Sequence, residues 1–156
     1  MFFRDSCKSF LKSFQWAIKS MAASKSSATV NSLEKVARLS LQCSTIAEDT
    51  KTIRSLDWDR SRFDIEFGLR NGTTYNSFLI TGEKIALIDT SHLKFQKNWL
   101  SLLKENINPE KIDYLIVSHT EPDHSGLISD VLNLNPNIKI IASKVAITLL
   151  ESQIHK

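Results

Sequence analysis

Long apolar runs are missing from this sequence of 156 residues. The nearest candidates, residues 138–142 and 145–150, are short and interrupted, well below the roughly 18 to 20 residues that cross a bilayer. No transmembrane segment is expected, and a soluble chain is. Cysteine is scarce: Cys7 and Cys43 are not in C-x-x-C spacing, so neither a zinc knuckle nor a disulfide framework is indicated, and a reducing compartment is the default. With only four glycines the chain has no G-x-G-x-x-G loop, which removes a dinucleotide-binding turn. Basic charge is scarce outside the N-terminus. Residues 1–35 carry six Lys and Arg against Asp5 and Glu34, or +4, so with +3 overall the remainder is 3 − 4 = −1. A near-neutral body without a basic stripe or stacking aromatics argues against nucleic acid. What is present, 42% hydrophobic and 24% charged residues, is ordinary for one globular domain with a real core.

Residues 1–35 read as a basic, Ser-rich extension outside the core. Phe3, Cys7, Phe10, Phe14, Ala17 and Met21 recur every three or four positions, with Arg4, Lys8, Lys12 and Lys19 elsewhere around the wheel. Eight serines and the single acid Asp5 precede residue 33. That composition fits an organelle transit peptide, a membrane-surface or partner helix, or a tail upstream of a true start at Met21. The run from Met21 reads as a flexible linker.

From residue 36 to 156 the pattern is that of a layered α/β domain. Residues 52–58, 63–67, 73–80 and 84–89 read as strands of a meander, with Asn71-Gly72 and Thr81-Gly82 as turns. Leu93 to Leu103 favours a helix that Asn108-Pro109 breaks, and Asp113 to Val117 is a short buried strand. A helix over 125–134, a turn at Pro136-Asn137, a strand over 138–141 and a helix capped by Ser143 follow. Trp58 and Trp99 fit core positions in these patterns. Tyr75 and Asn76 are open to two readings, packing or contact with a subunit partner.

After the strand ending at Val117 come Ser118-His119-Thr120-Glu121-Pro122-Asp123-His124-Ser125-Gly126. His119, Glu121, Asp123 and His124 thus lie just beyond the carboxyl end of a buried strand, the edge where α/β sheets hold ligands. In a locally extended loop His119, Glu121 and Asp123 alternate and converge from one side, with His124 following as the chain turns into a helix. Two imidazoles and two carboxylates can divide between two adjacent metals. Hard oxygen with imidazole and no thiolate suits iron or manganese at least as well as zinc. Capping of a helix near Ser125 accounts for Asp123 or Ser125, and not for four residues. Asp89, closing a strand two strands from the motif, is a candidate to orient an imidazole from behind. His92 either lines the site or bonds its own loop.

The stretch H-T-E-P-D-H-S-G resembles the flavodiiron (A-type flavoprotein) variant of the metallo-β-lactamase motif, in which Glu stands where zinc hydrolases carry a second His. Residues 52–80 and 85–91 are also similar to the start of the catalytic domain of flavodiiron proteins from oxygenic phototrophs. The similarity runs from about Leu39 to about Glu151. It implies the N-terminal half of a metallo-β-lactamase-like αββα sandwich and a di-iron centre, with His119 and Glu121 on one iron and Asp123 and His124 on the other. It implies FMN on a downstream flavodoxin-like domain, electrons from NAD(P)H, reduction of O2 to water or of NO to N2O, and a homo- or hetero-dimer. The compartment implied is the cytoplasm of a cyanobacterium, or the plastid stroma if the extension is a transit peptide.

The family's further His, bridging Asp and last His come well downstream, and His155 lies too close behind the motif to replace them. No FMN site is legible here. An N-terminal fragment with little independent turnover is therefore expected. Two other readings stay open: a dinuclear zinc hydrolase of the same superfamily, and an inactive truncated half-domain.

Overall fold

The computed structural model describes residues 38–63 and 67–154. The expectations for residues 1–35, for the start at Met21 and for His155 lie outside the described residues. Residues Arg38–Lys156 form one compact unit.

Six strands build the main sheet: β1 (Leu41–Ala47), β2 (Thr50–Asp57), β5 (Thr73–Thr81), β6 (Ile85–Ile88), β7 (Tyr114–Ile116) and β8 (Lys139–Ile141), side by side in that order. The first four strands of this order pair antiparallel as a meander, and β6, β7 and β8 pair parallel. Parallel neighbours need crossovers, and helices supply them. A 3-10 turn (Leu93–Phe95) and α1 (Gln96–Asn106) link β6 to β7; α2 (Pro122–Ser125) and α3 (Ile128–Leu134) link β7 to β8; α4 (Lys144–Ile154) follows β8.

Strand β1 is absent from the expectation. It is an edge strand whose residues are half-buried or exposed, so its sequence carries only a faint apolar alternation. The run 63–67 is not one strand of the sheet. Its ends form β3 (Arg62–Phe63) and β4 (Phe67–Gly68), which pair with each other, Phe63 opposite Phe67, in a separate two-stranded ribbon. The helix expected from Leu93 starts as a 3-10 turn because the His92 ring caps it, Nδ1 accepting the Lys94 amide at 3.1 Å. The helix expected over 125–134 is broken in two, between Ser125 and Ile128.

Strand alternation divides the sheet into two unlike faces. Ile53, Tyr75, Leu87 and Leu115 point to one face and meet Phe95, Trp99, Leu103, Leu127, Ile128, Val131 and Leu150 in a single buried cluster. Trp99 is fully buried, as expected, and donates from Nε1 to Ser77 Oγ at 3.1 Å. Trp58 corrects its expected core position: it is 41% exposed, lies past the end of β2, and holds the Leu39 carbonyl at its edge. Tyr75 resolves to packing, buried within the chain's own core, while Asn76 is half-buried and accepts from Arg54. On the opposite face Leu56, Phe78, Ile80, Ile88 and Ile116 are half-buried and Ile141 is exposed. One helical layer on one face of one sheet is half of an αββα sandwich.

Because β2 runs in the same direction as β6, β7 and β8, the carboxyl ends of these four strands share one edge of the sheet. Asp57, Asp89 and the loop after Val117 all emerge there.

Candidate metal centre

The loop starts where β7 ends. Val117 still bonds the Ile141 carbonyl, and Ser118 then turns to Asp89, giving its amide to Oδ1 at 2.8 Å and its hydroxyl to Oδ2. Asp89 follows β6, which pairs directly with β7, so it stands next to the motif and not two strands away. A strand-order error follows from counting elements along the chain: residues 90–113 cross over outside the sheet and add no strand between β6 and β7. Asp89 is buried and holds φ at +56°, a left-handed conformation that costs a non-glycine residue roughly 1 kcal/mol or more. The strain is tolerated because three hydrogen bonds converge on its carboxylate. The third comes from His124, whose Nδ1 lies 2.9 Å from Oδ2.

That contact decides the ring's chemistry. A carboxylate accepts only, so Nδ1 carries the proton and the Nε2 lone pair is free to ligate. His124 Nε2 stands 3.6 Å from Asp123 Oδ2, and His119 Nε2 stands 3.9 Å from Glu121 Oε1. The two imidazole rings lie 5.5 Å apart between centroids. The loop thus brings the four residues together as two neighbouring imidazole and carboxylate pairs. Among the described residues no three His, Cys, Asp or Glu converge on one point.

The loop is not extended throughout. Glu121 is extended, at φ −66° and ψ 151°, but Pro122 opens the helical turn α2, which Asp123 and His124 occupy. Proline fits a first helical position, since its missing N–H is an unsatisfied donor there anyway. Neither Asp123 nor Ser125 caps α3, which has no side-chain cap; Ser125 Oγ instead donates to the Thr120 and Glu121 carbonyls at 2.8 and 3.0 Å. Gly126 is required by close approach: a Cβ there would sit 2.4 Å from the Pro122 carbonyl oxygen and 2.8 Å from that of Ser91.

The donor set fits a pair of hard or borderline cations. A metal about 2.1 Å from each of two ligands holds their donor atoms roughly 3 to 3.4 Å apart, so the His124 and Asp123 pair needs closing by about 0.2 to 0.6 Å and the His119 and Glu121 pair by about 0.5 to 0.9 Å. His124 is already oriented for this. His119 is not: its Nδ1 accepts the Glu121 amide at 3.1 Å, which in a neutral ring puts the proton on Nε2. Ligation through Nε2 therefore requires that backbone bond to be given up, and the exposure of both His119 and Glu121 leaves room for it.

His92 caps the 3-10 turn with Nδ1 and stacks on Tyr75 of β5 at 5.8 Å, and neither contact is to the motif. Two buried residues that the sequence does not single out, Thr90 and Ser77, also bear on the loop, with the core residue Trp99 behind them. The Thr90 amide and hydroxyl both donate to the His124 carbonyl, each at 2.7 Å, Ser77 donates to the Thr90 carbonyl, and Trp99 donates to Ser77. Ser77, a hydroxyl inside the apolar pattern of β5, was the available signal.

Near the same edge Asp57 is buried against Lys94, at 2.5 Å, and Tyr75, at 2.9 Å. Burial by itself would raise the Asp57 pKa, but the hydrogen bonds from Lys94 and Tyr75 and the Lys94 charge outweigh it and hold the carboxyl below its ordinary value. Burial and the Asp57 carboxylate push the Tyr75 phenol up to about 12.

Comparison with known proteins adds to this geometry. Residues 73–155 match the family described as ODP family beta lactamase. The chain belongs to this family. A diflavin flavoprotein A of Nostoc sp. is 64% identical over 121 residues, covering 78% of the chain and 21% of that protein. A metal-soaked flavodiiron core from Synechocystis sp. superposes with a TM-score of 0.66 at 38% identity, covering 72% of this chain and 28% of that one. Rubredoxin oxygen:oxidoreductase from Desulfovibrio gigas superposes with a TM-score of 0.67 at 30% identity, covering 74% and 29%. The relatives of this ODP-family chain are thus flavodiiron proteins. The chain spans about a fifth of the length of the curated relatives it matches, 21% for the Nostoc protein.

Proposed function

We propose that this chain supplies the first ligands of a non-haem di-iron centre in a flavodiiron oxidoreductase that reduces O2 to water, residues 36–156 being the N-terminal part of its metallo-β-lactamase-like domain. The observation that carries this reading is the pairing of His119 with Glu121 and of Asp123 with His124, with Asp89 holding the His124 ring so that Nε2 is free. His119 and Glu121 hold one iron and Asp123 and His124 the other. Bound iron would supply the one-electron redox chemistry that O2 reduction needs. Glu121 contributes an anionic hard oxygen, which favours the ferric state and disfavours exchange for zinc.

The name of the Desulfovibrio neighbour favours O2 over NO as the substrate. FMN on a domain outside this chain, reduced by NAD(P)H, is the electron source in this proposal, and the diflavin relatives support it. A dimer would bring that flavin to the centre. No helix among the described residues is long and apolar enough to cross a membrane. Cyanobacterial relatives favour the cytoplasm, or the plastid stroma if residues 1–35 are a transit peptide.

Metal analysis of protein purified without chelators tests the proposal. Iron in excess of zinc, with no phosphoesterase or lactamase activity, is expected. Stoichiometric zinc with hydrolase activity would replace the redox reading by the hydrolytic one.

A further inference from the structure

The His124 imidazole is fixed at one end by Asp89, but a ring is only as well placed as the backbone that carries it. That backbone lies on α2, a helix of four residues, too short to hold itself. No side chain caps it, and its first residue is a proline. Something outside must fix it.

The outside support is Thr90, which is fully buried. Its amide and its Oγ1 both donate to the His124 carbonyl oxygen, each at 2.7 Å, so both lone pairs of that oxygen are used by one residue. The same Oγ1 accepts the Leu127 amide at 3.1 Å. One hydroxyl therefore bridges the last turn of α2 to the start of α3, where the chain has no regular helical bonding. Thr90 is held in turn. Ser77 Oγ donates to its carbonyl at 2.7 Å, and Trp99 Nε1 donates to Ser77 Oγ at 3.1 Å; Ser77 and Trp99 are both fully buried. The relay runs from the helix α1 through β5 to the loop, with every polar group satisfied, the condition under which a buried network rigidifies what it touches.

We propose that Thr90 is a positioning residue for the metal site, clamping the His124 main chain so that the ring presents Nε2 beside Asp123. The inference rests on the reading of His124 as a metal ligand. Asp89 sets the rotation and tautomer of the ring; Thr90 sets where the ring is. The two residues are adjacent because the chain leaving β6 in the left-handed turn at Asp89 directs one carboxylate and the next hydroxyl at the same residue of the neighbouring loop.

The test is a Co2+ titration of a polypeptide extended to include the downstream ligands, read by the visible absorption of the bound ion, on the parent, Thr90→Val, Thr90→Ser and Ser77→Ala, with unfolding midpoints measured in EDTA. Val keeps the shape and loses the hydroxyl; Ser keeps the hydroxyl and loses a methyl. The expected result is a Kd for Co2+ raised at least about tenfold in Thr90→Val with an altered spectrum, and within about threefold of the parent in Thr90→Ser. Ser77→Ala, which leaves the clamp atoms in place but loosens their support, gives an intermediate rise and keeps the question open to measurement if Thr90→Val does not fold. A Thr90→Val or Ser77→Ala protein that melts earlier in EDTA but binds Co2+ with the parent's Kd and spectrum overturns the clamp and leaves the metal reading intact. A parent whose Co2+ uptake is absent, or survives His124→Ala unchanged, overturns the metal reading and the clamp with it.

Discussion

Asp89 and His124 stand 35 residues apart in sequence and 2.9 Å apart in space, carboxylate to Nδ1, and Asp89 accepts both the amide and the hydroxyl of Ser118 in the same cluster. A strained, buried carboxylate thus joins the start of the loop to its last candidate ligand. Asp89→Asn keeps the size and tolerates the left-handed turn but loses the charge. We expect metal affinity to fall about tenfold or more with the fold retained. Metal titration alongside circular dichroism checks it; unchanged affinity would mean that the contact is structural only.

Gly126→Ala should be poorly tolerated. The added Cβ meets backbone oxygens of Pro122 and Ser91, at 2.4 and 2.8 Å, and neither can move without displacing α2 or the segment after Asp89. A loss of roughly 2 kcal/mol in urea unfolding is expected. A loss below about 0.5 kcal/mol would show that the loop yields easily there.

Stability should depend on pH through Asp57 and Tyr75. The Asp57 carboxyl is depressed in the fold, so its contribution is complete above the unfolded value near 3.8 and is lost as pH falls through the lower folded value. The Tyr75 phenol is raised, so its contribution is present below about pH 10 and disappears as pH rises towards 12. Asp57→Asn should flatten the acid limb and cost roughly 1 to 2 kcal/mol at neutral pH, less than the about 3 to 5 kcal/mol of a fully buried broken pair because Lys94 is half in solvent. Urea unfolding from pH 2 to 12 reads both limbs. An acid limb unchanged by Asp57→Asn would contradict the assignment.

Much of this was legible in the sequence, for reasons that also mark where legibility stopped. The parallel strands around Leu115 and Ile140 are apolar runs bounded by breakers, and the 3.6-residue spacing of Trp99 and Leu103 announces α1. The loop announced itself because four metal-type side chains in six residues exceed what capping needs. Strand β1 is hidden by its half-exposed edge position. The support by Thr90, Ser77 and Trp99 is hidden because it depends on which strands become neighbours, and a hydroxyl in an apolar strand looks alike whether or not a loop lies across it. The helical turn at Pro122 was missed because proline's extended bias on Glu121 was carried one residue too far.

In the proposed di-iron reading Glu121 is where iron and zinc chemistry part, and the most direct measurement is the iron-to-zinc ratio, with the O2 consumption rate, of Glu121→His against its parent in a polypeptide extended to include the flavin domain. The loop is organised by Pro122, Gly126 and the bonds from Ser125, none of which involves the Glu121 side chain, so the fold should survive. Replacing an anionic oxygen by a neutral imidazole should lower iron relative to zinc under identical metal supply and remove most O2 reduction. An unchanged ratio with an unchanged rate would contradict the assignment of Glu121 as a ligand.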